Sequence, residues 1–139
     1  MHVIIYKSCS KETAKRFADQ VESVIPREER NVFTDFEAYE QALKYPFRHR
    51  IITILLAENT EKLEKRISTE LFEGITNTIM VIPRNNANAH ALSRNLHPRF
   101  VAHTDEPFDK VALVLMNMII RQVRNEETRK DHEVLGQQS

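Results

Sequence analysis

Short apolar runs alternate with longer amphipathic segments along most of the chain. The strongest runs are continuous and rich in β-branched residues, at 50–56 and 78–82, and weaker ones occur at 3–6, 31–34 and 99–102. Continuous apolar sequence is typical of strands covered on both faces, because a strand with one wet face alternates polar and apolar residues. The pattern therefore predicts five short, buried strands.

The segments between these runs show the spacing of amphipathic helices. They predict helices at residues 10–24, 36–43, 60–72 and 88–96, and Pro107 opens a last helix at a first-turn position that favours proline. Repeated strand–helix alternation implies right-handed crossovers. We therefore expect an α/β fold, a five-stranded parallel sheet with helices on both faces.

Length and composition indicate one ordinary globular domain. The chain has 139 residues, and we expect an α/β domain at residues 1–124 followed by a polar C-terminal extension or flexible tail at 125–139. Lys plus Arg and Asp plus Glu number 20 each. Without net charge we expect no nucleic-acid partner, because phosphate binding depends on accumulated cations.

The sequence also carries no signal for a membrane or for export. No apolar run reaches the ~20 residues that span a bilayer, and the first residues enter a strand-like run without a signal-peptide pattern. The single cysteine, Cys9, suits a reducing compartment. We expect a cytoplasmic protein with no membrane partner.

Ligands of an open parallel sheet bind at the carboxyl ends of its strands, and here those loops lack phosphate-binding chemistry. The two glycines, Gly74 and Gly136, lie elsewhere, whereas dinucleotide and nucleotide loops need glycine beside the phosphate. Gly74 is instead placed to end the third helix. The six histidines are scattered, so we expect neither a cofactor nor a metal site.

Residues 106–109, Glu-Pro-Phe-Asp, are followed by Leu113. This stretch resembles the Lys-Pro-Phe-Asp segment that opens the last helix of two-component response-regulator receiver domains. Residues 34–43 resemble the second strand and helix of the same family. The resemblance covers residues 1 to about 124 and implies the (βα)5 receiver or flavodoxin-like fold, with strand order 2-1-3-4-5.

The positions that carry receiver chemistry differ in this sequence. A working receiver has an acidic pair after strand one, an aspartate after strand three, a Ser or Thr after strand four and a lysine after strand five. The corresponding residues here are Lys7 and Ser8, Ala57 or Glu58, Pro83, and Glu106. Without acids to hold magnesium and an aspartate to accept phosphoryl, the receiver mechanism should fail.

We therefore expect a degenerate receiver-like signalling or scaffolding module, not an enzyme, that binds a protein partner without aspartyl phosphorylation. The reversed charges suggest that Lys7 pairs with Glu106 or Glu58 across the vacant pocket; the alternative is unrelated surface charges.

Two other functions stay open. Cys9 precedes a helix N-terminus, where a thiol pKa is lowered, so a cysteine-dependent phosphocarrier or thiol enzyme is one alternative. The other is a small-molecule binding domain that uses Arg84, Asn85 and His103 at the strand ends.

The last helix is apolar on nearly every side between Asp109 and Arg121. A helix that covers one sheet face needs only a stripe, so the surplus lies either under neighbouring loops or in a subunit interface. Receivers commonly dimerise through the surface that includes this helix. We expect a homodimer, with an interface formed by Val111, Leu115, Met118 and Ile119.

Overall fold

The computed structural model describes the backbone of residues 1–138 and the side chains of residues 1–128 apart from residue 62. The strands are β1 (His2–Ser8), β2 (Arg30–Phe33), β3 (Ile51–Ala57), β4 (Asn77–Ile82) and β5 (Phe100–His103), and the helices are α1 (Lys11–Gln20), α2 (Phe36–Leu43), α3 (Glu61–Arg66), α4 (Ala87–Leu96) and α5 (Asp109–Gln138). All strand pairs are parallel, in the order β2-β1-β3-β4-β5. The predicted α/β fold and strand order are confirmed, in a flavodoxin-like arrangement.

Both faces of the sheet are buried, which explains the continuous apolar runs. Every residue of β3 is buried. Its side chains alternate between two cores: Leu55 and Ala57 face the core that includes α2, α3 and α4, and Ile54 and Leu56 face the core that includes α1 and α5. A strand with two buried faces has no place for the polar alternation of an exposed sheet.

One hydroxyl interrupts the apolar sequence of β3, and it is fully bonded. Thr53 donates to the carbonyl oxygen of Ile4 on β1 at 2.9 Å. Its oxygen lies 2.6 Å from the Tyr39 hydroxyl of α2, and Tyr39 is the donor because Thr53 has already used its only hydroxyl hydrogen. Burial raises the pKa of Tyr39. The network fixes α2 against the sheet.

The single helix predicted at residues 60–72 is wrong. Helix α3 ends at Arg66, and a separate 3₁₀ turn spans Thr69–Phe72. Ile67, with ψ of 129°, has extended backbone between them, since β-branched and hydroxyl side chains disfavour continued helix. Gly74 follows at φ 84°, a left-handed conformation suited to glycine, and so turns the chain towards β4.

The last helix is longer than the sheet requires. It begins at Asp109, two residues after the predicted opening at Pro107, and continues to Gln138, about 45 Å at ~1.5 Å per residue. It passes residue 125, where the sequence predicts a tail, and the division between domain and tail stays a prediction; Ser139 lies outside the described residues. Within the described residues, no helix is both long and apolar enough to cross a bilayer.

Candidate functional site at the strand carboxyl ends

The carboxylate of Glu58 lies at the N-terminus of α1. Its Oε1 accepts hydrogen bonds from the Ser10 backbone N at 2.9 Å and the Ser10 Oγ at 3.1 Å, and Ser10 also caps α1 by accepting from the Thr13 backbone N. Partial burial raises the pKa of Glu58, but the hydrogen bonds from Ser10 and Thr13 outweigh this effect and hold the pKa below its ordinary value. An internal carboxylate therefore occupies the end of the helix that favours anions.

Lys7 turns away from the pocket that it was expected to close. Its Nζ lies 2.6 Å from Glu22 Oε2, and the two side chains are only 11% and 8% exposed. The ammonium also lies 5.5 Å from the centroid of the Phe17 ring. The hypothesis of a pair between Lys7 and Glu106 or Glu58 is therefore wrong, because the partner of Lys7 lies beyond α1, on the face of the sheet that this helix covers.

Glu106 instead pairs with Arg84, which follows β4. Arg84 Nη2 lies 2.7 Å from Glu106 Oε1, and Arg84 Nε lies 3.1 Å from Asp105 Oδ2. The pKa of Arg84 is raised, first by its hydrogen bond to Asp105 and by the negative charge of Asp105, and then by the Glu106 carboxylate. The Glu106 carboxylate is therefore paired locally with Arg84, and Arg84 is shared between two carboxylates.

His103 lies at the same end of the sheet, its ring centroid 5.6 Å from that of His90. His90 Nε2 is 2.6 Å from the Arg84 carbonyl oxygen, whereas His103 Nδ1 is buried without a hydrogen-bond partner in the structure. Asn85 is exposed beside them. Among the residues that the structure describes, no group of three or more His, Cys, Asp or Glu side chains is placed to hold a metal ion.

The environment of Cys9 opposes thiolate formation. Partial burial and the nearby Glu58 carboxylate raise the pKa of the thiol, and the opposing effect of Lys7 is smaller. A reactive cysteine needs surroundings that stabilise its anion. The thiol pKa is therefore shifted in the direction opposite to the lowering expected at a helix N-terminus, mainly because of burial and secondarily because of the Glu58 carboxylate.

The other positions of the predicted pocket carry a methyl group, a hydroxyl group and a proline ring. Ala57 is 1% exposed and has only a methyl group. Ser8 is half-buried, and its carbonyl oxygen accepts from the Glu58 backbone N at 2.9 Å. Pro83 is half-buried at the end of β4. None of these side chains supplies the carboxylate that the receiver reaction uses.

Contacts between α1 and the loop after β5 close this side of the crevice. The Arg16 guanidinium donates to the Thr104 carbonyl oxygen and lies 4.4 Å from the centroid of the Phe108 ring. Gln20 Oε1 accepts from the Phe108 backbone N at 2.8 Å. Open space at the carboxyl ends therefore lies on the opposite side, towards β2.

A cavity of about 350 Å³ lies there, beyond β1 and β2 and beneath α3, and the sequence does not predict it. Its apolar floor and polar rim are formed by Tyr6, Phe36 and Leu63, and by Ser8, Thr34, Asp35, Asn59 and Arg66. The polar residues after β2 and β3 are the signal that could have found it, since parallel strands end at one edge.

The dimer residues predicted on α5 face the protein's own core. Val111 and Leu115 are fully buried, Met118 is 4% exposed, and Ile119 packs partly against the same cluster. This selection is wrong, because these side chains cover the sheet within a single chain. Among the described side chains of α5, the large apolar residues that are exposed are Leu113 at 59%, Met116 at 43%, Ile120 at 45% and Val123 at 40%; we call them the α5 row.

Comparisons with known proteins do not add a relative to this picture. No protein-family model, no curated protein and no solved structure matches the chain. The functional argument therefore rests on the residues themselves.

Proposed function

We propose that this chain is a degenerate, receiver-like signalling or scaffolding module that works through protein–protein contacts without aspartyl phosphorylation. We further propose that it is a cytoplasmic protein that forms a homodimer through the α5 row and presents its remaining surface to a protein partner. The observation that carries the proposal is the α5 row itself, four large apolar side chains left uncovered on one helix.

The carboxyl edge of the sheet supports a role other than phosphotransfer. Glu58 is bonded to Ser10, Lys7 to Glu22, and Arg84 to two acids. Phosphoryl transfer needs groups preorganised towards the transferred oxygens, together with a metal-binding acidic cluster. The charges at this edge are instead used to hold neighbouring elements together.

The geometry of the α5 row suits a second copy of the same chain. Its members, Leu113, Met116, Ile120 and Val123, are separated by intervals of three, four and three residues, the spacing of a coiled-coil seam. These intervals read the same in both directions, so two antiparallel helices related by a two-fold axis would match Leu113 with Val123 and Met116 with Ile120. Self-complementarity of this kind is the requirement of an isologous dimer.

Replacing two central members of the row tests the dimer. We expect the double variant Met116→Glu/Ile120→Glu to be monomeric by sedimentation equilibrium, under conditions where the parent chain is dimeric, because paired carboxylates cannot be buried without a large cost. Both side chains are exposed in the single chain, so far-UV circular dichroism should stay unchanged.

Asn117→Glu is the matched control. Asn117 is exposed on the same helix and is turned about 100° from its neighbour Met116, so the added charge lies beside the row. This variant should remain dimeric. A parent chain that is monomeric throughout the concentration series, or a dimer that survives the double substitution, would refute the interface.

The cavity beneath α3 favours a second function, a small-molecule binding domain. Its floor is apolar and its rim carries both Asp35 and Arg66, which suits a compact ligand with polar ends. The site differs from the one expected around Arg84, Asn85 and His103. A thermal-shift screen of small zwitterions, repeated with Arg66→Gln, tests it; no shift with any compound would count against this function.

A further inference from the structure

A second polar cavity, of about 280 Å³, lies at the opposite end of the sheet, at the amino ends of β4 and β5. Arg99, just before β5, lines it together with Arg121 on α5. Arg99 Nη1 donates to Asn77 Oδ1 at 2.8 Å, and Asn77 is 8% exposed. This hydrogen bond fixes the orientation of the Arg99 guanidinium group. It uses one of the five N–H donors and leaves the others available to a ligand in the cavity.

Among the described side chains, no acid forms an ion pair with either guanidinium group. Among the side chains that the structure describes, Arg121 has no ion pair or hydrogen bond. The one acid in the lining, Glu126, lies 2.9 Å from the terminal ammonium of Met1, and Arg50 adds a favourable charge interaction with it. The carboxylate is thus already balanced, and the cavity keeps an excess of positive charge.

We propose that this cavity is a binding site for a compact oxyanion, held by the guanidinium groups of Arg99 and Arg121. Guanidinium groups present planar sets of donors that match phosphate and carboxylate oxygens. Gln122, which is 6% exposed, also lines the cavity and adds a polar amide group to it. The cavity volume of about 280 Å³ lies just below the range of roughly 300–1,000 Å³ for small-molecule sites, which favours a phosphate-sized ligand over a nucleotide.

The site is independent of the proposed dimer and of the cavity beneath α3. It uses the amino ends of the strands, whereas the degenerate receiver pocket lies at their carboxyl ends. A charge balance of zero over the whole chain is compatible with a local excess of positive charge at this cavity.

Calorimetric titration of the full chain with inorganic phosphate, and separately with malonate, tests the site. Ionic strength is held constant, because salt screens exposed charges. We expect saturable binding by at least one anion, weakened at least tenfold in Arg121→Gln and in Arg99→Gln. Tighter binding of phosphate would identify a phosphoryl ligand, and tighter binding of malonate a carboxylate ligand.

Arg124→Gln is the control, an exposed arginine on α5 outside the cavity lining. It removes the same charge and should leave the affinity unchanged. Equal weakening in Arg124→Gln and Arg121→Gln would overturn the proposal in favour of general charge attraction, and the absence of saturable binding for both anions would overturn it outright. Arg121 is exposed, so its variant stays informative even if Arg99→Gln folds poorly.

Discussion

At the scale of single residues, the hydrogen-bond partners of a functional group decide what chemistry it can perform. Glu58 is an acid, and with Ala57 it is one of the two residues at which the receiver resemblance would place a phosphoacceptor. Its Oε1, however, accepts from both the backbone and the hydroxyl of Ser10. An oxygen engaged in this way is a structural acceptor at a helix end, and the group serves α1 rather than a reaction.

The charge of Glu58 should be measurable through its neighbour Cys9. Removing the carboxylate in Glu58→Gln takes away one cause of the raised thiol pKa. The pKa of Cys9 should therefore fall, a larger thiolate fraction should be present at pH 8, and alkylation by iodoacetamide should be faster than in the parent chain. Thiolate absorbance followed against pH gives the same quantity directly.

Glu12→Gln provides the comparison for that experiment. Glu12 is an exposed acid in the first turn of α1 and is not among the groups that shift Cys9. Its replacement should leave the alkylation rate unchanged. Identical rates in the parent chain and Glu58→Gln would show that Glu58 has no influence on the thiol.

Sequence reasoning identified the changed residues of the pocket but misassigned their partners. Lys7 and Glu106 were recognisable as charges opposite to those of the receiver pattern, and Glu58 as a possible partner, because all three lie at or after the carboxyl end of a predicted strand. Which acid Lys7 meets depends on the rotamer of a long side chain and on the 3₁₀ turn that contains Glu22. Strand periodicity carries no information about either.

At the scale of elements, one buried ion pair joins β1 to the turn that follows α1. Lys7 and Glu22 are both close to fully buried, so removing one partner leaves the other charge uncompensated. We expect Glu22→Gln to lower the free energy of unfolding by about 3 kcal/mol, measured by urea denaturation. The double variant Lys7→Met/Glu22→Leu should recover most of that loss, because both charges are removed together.

Glu28→Gln is the matched control for this measurement, since Glu28 is an exposed acid in the next 3₁₀ turn. It should change the free energy of unfolding by less than about 0.5 kcal/mol. A similarly small effect of Glu22→Gln would mean that water reaches the pair.

The elements themselves were largely predictable, and the exceptions have physical causes. Buried strands such as β3 are visible because both faces exclude polar residues. The break after α3 was missed because Leu63, Leu71 and Phe72 are buried at spacings that a helix would also produce. In α5, apolar residues surround the helix, so periodicity could not tell the core-facing Leu115 from the exposed Leu113.

At the scale of the whole molecule, the fold does not by itself determine the chemistry. The sheet order is that of flavodoxin-like proteins, and fold alone does not specify function. The fold was predictable because it depends on patterns repeated along the chain. The cavities were not, because each depends on side chains brought together from three or more distant segments.

The prediction that the chain does not accept a phosphoryl group is testable on the intact protein. Incubation with radiolabelled acetyl phosphate and Mg²⁺ should incorporate no label above background, while a functional receiver treated in parallel becomes labelled. The reason is that Ala57 offers no carboxylate and Glu58 is bonded to Ser10. Labelling that disappears in Glu58→Gln would show that the carboxylate leaves Ser10 and reacts.

The position of β3 between β1 and β4, with all of its side chains buried, has a consequence for how the molecule opens. The amide hydrogens of β3 become accessible to solvent only when the sheet itself separates. The edge strand β2 pairs with one neighbour and has no buried residue, so it can detach by a local fluctuation. Unfolding should therefore proceed inward from β2, and the wall of the cavity near that strand belongs to the least protected part of the protein.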